Sequence, residues 1–404
     1  MKKILFVEDD ALVARIYSQK LTAEGFEVAI AEDGLAAVKR LRESKPDLMV
    51  LDLLMPKLSG VDVLKFLRQA PDLKDIRIIV FSNSFLSNLV QEVAQAGVEE
   101  ALVKAAVTPA RLAEVVHRVL ETSPGTFLSA ETLAARLAGP ATSARPGSET
   151  QRPAGAAADD PAFQERVQKE FVERAPLIFK SLRQLCLEFF EASDSPIEPR
   201  KLEDLRRKVG FLTQMMGMAG RHQLALLTSA LEALLYEMHD NPQTITDSCR
   251  HTIAATVVFL AERLEFTRAE SKENLPSPSV LVVDDDAVSS RAVVHALARA
   301  SLSVVSITDP FDALKRLQET PCDLVLLDIN MPGMDGIALC EQMRGTPLHK
   351  KTPVLFLTGR TDFKTRVRSI LSGGNELITK PILPTELCVK AITLLLKSRL
   401  AAHA

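Results

Sequence analysis

The chain has 404 residues, enough for two to four domains that each bury a core. Apolar content of 47% and charged content of 25% are ordinary for a globular protein, and a net charge of −3 gives no electrostatic reason to expect a nucleic-acid partner. No stretch approaches the roughly 18 apolar residues that cross a bilayer. Met1-Lys2-Lys3-Ile4-Leu5-Phe6-Val7 meets Glu8-Asp9-Asp10 too soon for a secretion signal, so a cytoplasmic protein without membrane insertion is expected. Cys186, Cys249, Cys322, Cys340 and Cys388 are scattered, odd in number and free of C-x-x-C spacing, which points to reduced thiols. The basic runs Arg206-Arg207-Lys208 and His349-Lys350-Lys351 are short and read as solvated faces.

Residues 1–121 alternate short apolar runs with amphipathic helical patterns. The runs are Ile4–Val7, Glu27–Ile30, Leu48–Leu51, Ile76–Phe81 and Ala101–Val103. The helical patterns are Ala11–Ala23, Leu35–Glu43, Val61–Gln69, Leu86–Ala96 and Pro109–Leu120. Strands alternating with helices predict a parallel sheet covered on both faces. Residues 122–160 read as a linker with one short helix over 126–138, and Gly139–Asp160 are rich in Pro, Ala, Gly and Ser. Residues 161–270 carry only helical periodicity, with helices predicted at Ala162–Glu191, Pro199–Gly217, His222–His239 and Ile245–Phe266. Breaks fall at Ser193-Asp194-Ser195-Pro196 and Asn241-Pro242, and short connections between amphipathic helices predict an antiparallel four-helix bundle. A second linker, 271–278, leads into residues 279–400, where the strand pattern returns as Val280–Val283, Ser303–Ser306, Leu324–Leu327, Val354–Leu357 and Leu377–Thr379.

One set of polar residues occurs twice in identical register. Glu8, Asp9, Asp52, Ser82 and Lys104 return as Asp284, Asp285, Asp328, Thr358 and Lys380, each 276 positions further on. All lie at or just past the carboxyl ends of predicted strands, where open parallel sheets bind ligands. Singly, each reads as a loop-end surface residue or cap. Five roles repeated at constant offset are poorly explained that way. Two adjacent acids beside a third repel unless a cation joins them, and magnesium suits hard oxygen ligands. Such an ion also offsets charge as a phosphoryl group moves. Lys104 or Lys380 would hold one phosphate oxygen, Ser82 or Thr358 another, and Asp52 or Asp328 would be the phosphoacceptor.

The segments Ile4–Asp10, Leu51-Asp52-Leu53-Leu54-Met55-Pro56 with Gly60, and Leu102-Val103-Lys104 resemble the receiver domains of two-component response regulators. So do Val280–Asp286, Leu327–Gly336, Leu357-Thr358-Gly359 and Thr379-Lys380-Pro381. The resemblance implies two flavodoxin-like α/β domains with strand order 2-1-3-4-5 and phosphoryl transfer from a kinase histidine to Asp52 or Asp328. It also implies that the main-chain carbonyls of Leu54 and Asn330 complete the magnesium site. Partners implied are a sensor histidine kinase or phosphotransfer protein as donor, a downstream signalling protein, and a second copy of the chain.

The two copies depart from each other and from the family. The second keeps Lys380-Pro381, a peptide usually cis in receivers, whereas the first reads Lys104-Ala105, so its loop is expected to turn differently or carry strain. Leu54 stands where the second copy has Asn330, and its bulk is expected to hinder water and lengthen the phosphorylated lifetime. Ala101 and Leu377 replace the aromatic residue that many receivers carry, so coupling through an aromatic flip is not expected.

The helical middle resembles a histidine-phosphotransfer bundle without its reactive residue: Gly210 takes the histidine position, Thr213 the lysine and Gln214 the first glycine, while Leu212 and Gly220 match. His222, His239 and His251 read as exposed or capping residues, and Met215, Met216 and Met218 as core packing. The expected function is phosphorylation-controlled protein–protein interaction, with no DNA-binding or separate enzymatic output. The rivals are a phosphorelay or phosphate-sink component and a scaffold whose receivers are never phosphorylated.

Overall fold

The computed structural model describes residues 1–55, 58–82, 90–104, 107–122, 125–137, 169, 177–189, 199–219, 221–266, 278–300, 302–359 and 368–402. The predicted linker Gly139–Asp160 and the break at Ser193–Pro196 lie outside them. The chain divides into two compact units: Met1–Ile178 with Asp204–Ser229, and Phe179–Glu203 with Ala230–Ala404.

In the first unit, β1 (Lys3–Val7), β2 (Glu27–Ala31), β3 (Leu48–Leu51), β4 (Arg77–Ser82) and β5 (Glu100–Val103) form one parallel sheet in the order 2-1-3-4-5. β3 is Leu-Met-Val-Leu, buried at every residue, because helices cover both faces of a central parallel strand. The helices are α1 (Ala11–Ala23), α2 (Gly34–Glu43), α3 (Gly60–Gln69), α4 (Val90–Gln95) and α5 (Pro109–Glu121). Side chains fix the starts of three of them: Asp33 caps α2, Ser59 and Asp62 form a reciprocal capping box on α3, and Thr108 with Pro109 opens α5. A short helix, α6 (Ala130–Leu137), packs on β5 and α4 and covers the edge of the sheet.

The helical middle contains α7 (residues 177–189), α8 (Pro199–Met218), α9 (His222–Asp240) and α10 (Asp247–Phe266), with a single 3-10 turn, Pro242–Thr244, at the Asn241-Pro242 break. The boundary between the two units cuts through α7, α8 and α9.

In the second unit, β6 (Ser279–Val283), β7 (Ser303–Ile307), β8 (Leu324–Asp328), β9 (Val354–Thr358) and β10 (Glu376–Thr379) repeat the topology, with spatial order β7-β6-β8-β9-β10. Around them lie α11 (Ala287–Arg299), α12 (Pro310–Glu319), α13 (Gly336–Arg344), α14 (residues 368–371) and α15 (Pro384–Ala402). α15 is buried over most of its length because it packs on α10 as well as on its own receiver. Glu386 accepts hydrogen bonds from Ser248 and Thr252, and Lys397 lies 5.8 Å from the Phe259 ring centroid. The Lys380–Pro381 peptide is cis, while Ala105 lies outside the described residues.

Two readings of the basic runs need correction. His349 is fully buried, with Nδ1 3.0 Å from the Thr352 hydroxyl and Nε2 3.2 Å from the Thr320 carbonyl oxygen. Arg206 is buried too, at 3% exposure. Both fit inside because polar partners meet their nitrogens, the condition for burying such groups. The cysteines are unpaired as expected, and burial pushes the thiols of Cys186 and Cys249 up to about 11 and those of Cys322 and Cys388 up to about 12. Among the described residues, no helix is long and apolar enough to cross a membrane.

Candidate functional site

Each sheet ends in an acidic pocket. In the first receiver, Glu8 and Asp9 follow β1 and Asp52 follows β3, and their carboxylate oxygens lie within 4.8 Å of one another. Lys104, one residue past β5, reaches back between them: its Nζ is 2.6 Å from Asp52 Oδ2 and 2.9 Å from Glu8 Oε2. Ser82, the last residue of β4, donates its hydroxyl to Asp52 Oδ1 at 3.3 Å, and the Leu54 amide donates to the same oxygen at 3.0 Å. Burial drives the Glu8 carboxyl well above the usual range; Lys104 opposes this, and Asp52 and Asp9 add to it. Beneath the pocket lie the aromatic rings of Phe6, Tyr17 and Phe81, with Tyr17 donating its hydroxyl to the Val107 carbonyl at 2.6 Å.

The second pocket has the same plan. Asp284, Asp285 and Asp328 bring carboxylate oxygens within 4.8 Å of one another, and Lys380 Nζ is 2.9 Å from both Asp284 Oδ2 and Asp328 Oδ1. The Asn330 amide donates to Asp328 Oδ2 at 3.1 Å, Ser289 donates to Asp284 at 2.7 Å, and Thr358 is buried at the end of β9. Burial raises the Asp328 carboxyl, against the hydrogen bond and charge of Lys380. For Lys380, burial alone would lower the ammonium, but its bonds to Asp328 and Asp284 outweigh that and hold it above its ordinary value.

A glycine lies hard under each of Asp52 and Asp328. A Cβ on Gly60 would sit 2.2 Å from the Asp52 carbonyl oxygen, and one on Gly336 2.1 Å from that of Asp328. Only glycine lets α3 and α13 start so close beneath the loops that aim these carboxylates.

The structure brings the three acids and the lysine of each set together, and the two pockets differ in access. The Lys104 side chain is 4% exposed and the Lys380 side chain 27%, while Asp285 is open to solvent. The first pocket is closed by two residues that sequence reasoning missed, both on the part of α8 that belongs to the first unit. Arg206 donates to Asp9 Oδ2 at 3.3 Å and to the Leu54 carbonyl at 3.2 Å, and Gln214 donates to Glu8 Oε1 at 3.1 Å. The available signal was their spacing: eight residues apart, they share one helix face. His222, His239 and His251 are exposed, as read.

Three hard carboxylate donors at each site fit a divalent cation such as magnesium. Together, fold and pocket define a doubly wound α/β domain with an acidic pocket at the carboxyl ends of its strands, present twice. The pattern of the response regulator receiver domain matches residues 4–117 and 280–392, and the chain belongs to that family. It is 32% identical over 123 residues to the alkaline phosphatase synthesis transcriptional regulatory protein PhoP of Bacillus subtilis, a match covering 30% of this chain and 50% of that protein. It is 33% identical over 118 residues to the cyclic di-GMP phosphodiesterase response regulator RpfG of Xanthomonas campestris, covering 28% of this chain and 31% of that one. The chain thus spans about half the length, or less, of these curated relatives. Among solved structures it is similar to chemotaxis response regulator CheY4 of Vibrio cholerae, at 28% identity and TM-score 0.29, covering 30% of this chain and 99% of that one. The receiver domain of a Syntrophus aciditrophicus histidine kinase matches at 31% identity and TM-score 0.27, covering 29% and 90% respectively.

Proposed function

We propose that the protein is a two-component response regulator in which magnesium-dependent phosphorylation of Asp328, and of Asp52, controls protein–protein interaction. The domain plan is a receiver over 1–121, a linker over 122–160, a four-helix phosphotransfer-like bundle over 161–270, a linker over 271–278 and a receiver over 279–400. A sensor histidine kinase or phosphotransfer protein donates the phosphoryl group, and a downstream signalling protein reads the result. The receivers assist only their own phosphorylation and dephosphorylation.

The observation that carries this reading is Lys380 bridging Asp284 and Asp328 at 2.9 Å each in a pocket open to solvent. Asp328 attacks phosphorus as the phosphorus–nitrogen bond to the donor imidazole breaks, and the imidazole nitrogen leaves with the electron pair. Lys380 leaves its carboxylate partners for a phosphate oxygen and Thr358 offers a hydroxyl to another, while Asp284, Asp285 and the Asn330 carbonyl are the groups that would hold the metal. When bound, magnesium supplies positive charge where charge builds on the transferred group. In the first receiver Lys104, Ser82, Glu8, Asp9 and the Leu54 carbonyl take the same parts.

The test is phosphate incorporation from a small phosphodonor into the wild type, Asp52→Ala, Asp328→Ala and the double variant. Incorporation should fall most in Asp328→Ala and vanish in the double variant. Wild-type levels in the double variant would overturn the assignment. The closed first pocket favours a second reading for that domain alone, a docking module rather than a routine phosphoacceptor.

A further inference from the structure

The guanidinium of Arg206 stands against two of the groups assigned above to the metal, the Asp9 carboxylate and the Leu54 carbonyl. The third, Glu8, is taken by Gln214 and Lys104. Resting on the receiver reading, we propose that α8 is a built-in plug for the first site, with Arg206 occupying the cation's place. The site is then closed to metal and phosphodonor until this stretch of helix lifts away.

The chemistry of the pocket explains why an arginine sits there. Three acids face one lysine in the first pocket, and Arg206 brings a second positive charge that stays protonated under all ordinary conditions. Its flat fork lets separate nitrogens reach Asp9 and the Leu54 carbonyl, which a lysine could not do as a single point charge. Arg206, Gly210 and Gln214 follow at intervals of four, so they line one face of α8. All three are buried. Gly210, midway between the two donors, carries no side chain to hold the helix off the pocket. The second pocket offers a contrast within the same chain: among the described residues, no arginine bonds to Asp284, Asp285 or Asp328. The same acids are there left for an external ion.

A plug and a metal that compete for one place are linked. Apparent metal affinity falls by the fraction of molecules in which the plug is out, and metal binding in turn drives it out. Any partner that captures α8 would open the first site, so the first receiver reports whether that helix is docked.

The test uses the full chain with manganese as the probe, bound metal being read by electron paramagnetic resonance. Replacing Asp284→Asn and Asp285→Asn silences the second site, and the first is then compared with and without Arg206→Met. The methionine keeps an apolar stem in place of the arginine chain. Arg206→Met should tighten manganese binding at the first site by about tenfold or more, as removal of a competing state requires. A merely structural arginine would loosen binding when replaced. As a check independent of that variant, saturating manganese on the wild type should speed amide exchange across residues 204–218. Unchanged or weaker binding in Arg206→Met, or unchanged exchange, with the second site binding normally, would overturn the plug and leave the receiver reading standing. If neither site binds manganese in any variant, the receiver reading falls and the plug with it.

Discussion

Replacing Lys104 with methionine should cost far more than the same change at Lys380, although the two lysines hold equivalent positions. Lys104 lies between Glu8 and Asp52, both buried, at 2.6–2.9 Å. Without its charge, Asp52 loses its buried counter-ion beside a Glu8 that keeps its proton. Breaking a buried ion pair by removing one partner typically costs about 3–5 kcal/mol. Arg206 and Gln214 remain and relieve part of this, so a loss of about 3 kcal/mol is expected for the first receiver. At the second site, water and counter-ions reach the 27% exposed lysine and the open Asp285. The expected loss there is about 1 kcal/mol, the scale of a screened pair.

Domain-resolved amide exchange is the assay, because a chain of several domains has no single unfolding free energy. The pH dependence supplies a second criterion. Glu8 already titrates above its unfolded value, so the folded state holds an extra proton and stability falls as pH rises from the unfolded carboxylate range toward the folded value. Lys104→Met removes the main opposing influence and widens that window. Below about pH 8 both proteins keep that proton, so the deficit should be flat there and grow only above it, where the wild type has lost the proton and the variant still holds it. Equal losses at the two sites, or a Lys104→Met deficit independent of pH, would refute the reasoning.

Gly60→Ala and Gly336→Ala each force a Cβ within 2.2 Å of a backbone carbonyl oxygen. Each should destabilise its receiver by about 3 kcal/mol and cut phosphate uptake there, and wild-type exchange rates would contradict this. His349 is held below its ordinary value chiefly by burial. Below about pH 6.5 the unfolded chain binds a proton that the folded one refuses, so the second receiver should lose stability as pH falls. His349→Gln should flatten that slope in denaturation curves between pH 8 and 5, and an unchanged slope would place its origin elsewhere. Leu54→Asn should shorten the phosphorylated lifetime of the first receiver if the leucine keeps water from the acyl phosphate; equal dephosphorylation rates would sink that idea.

The parts legible in the sequence were those set by local pattern. An apolar run ending in an acid or a hydroxyl marks a parallel strand meeting its crevice, so strand ends were placed to within about a residue and both pockets were found. The helix starts at Ala11 and Pro109 were placed as found, and Asp33 and Thr108 cap α2 and α5 in the structure. What a helix face packs against is not local. Periodicity put Arg206, Gly210 and Gln214 on one side of α8 but gave no sign that this side meets Asp9 and Glu8, nearly two hundred residues away. A short basic run looks the same whether it points to water or to buried acids. His349 escaped for the same reason, since its partners include the Thr320 carbonyl, 29 residues earlier.

The two receivers show that identical chemistry-bearing residues do not make equivalent sites. Each pocket sets three acids against one lysine, a balance that leaves excess negative charge and calls for another cation. In the second, the exposed Asp285 leaves the acids open to a cation from solution. In the first, the chain supplies a positive charge from Arg206, and the lysine is shut in with it. A tethered guanidinium competes at high effective concentration, so an ion must displace a helix and not merely water. On the reading proposed above, the first site answers to whatever holds or releases α8, and the second to the supply of phosphoryl groups.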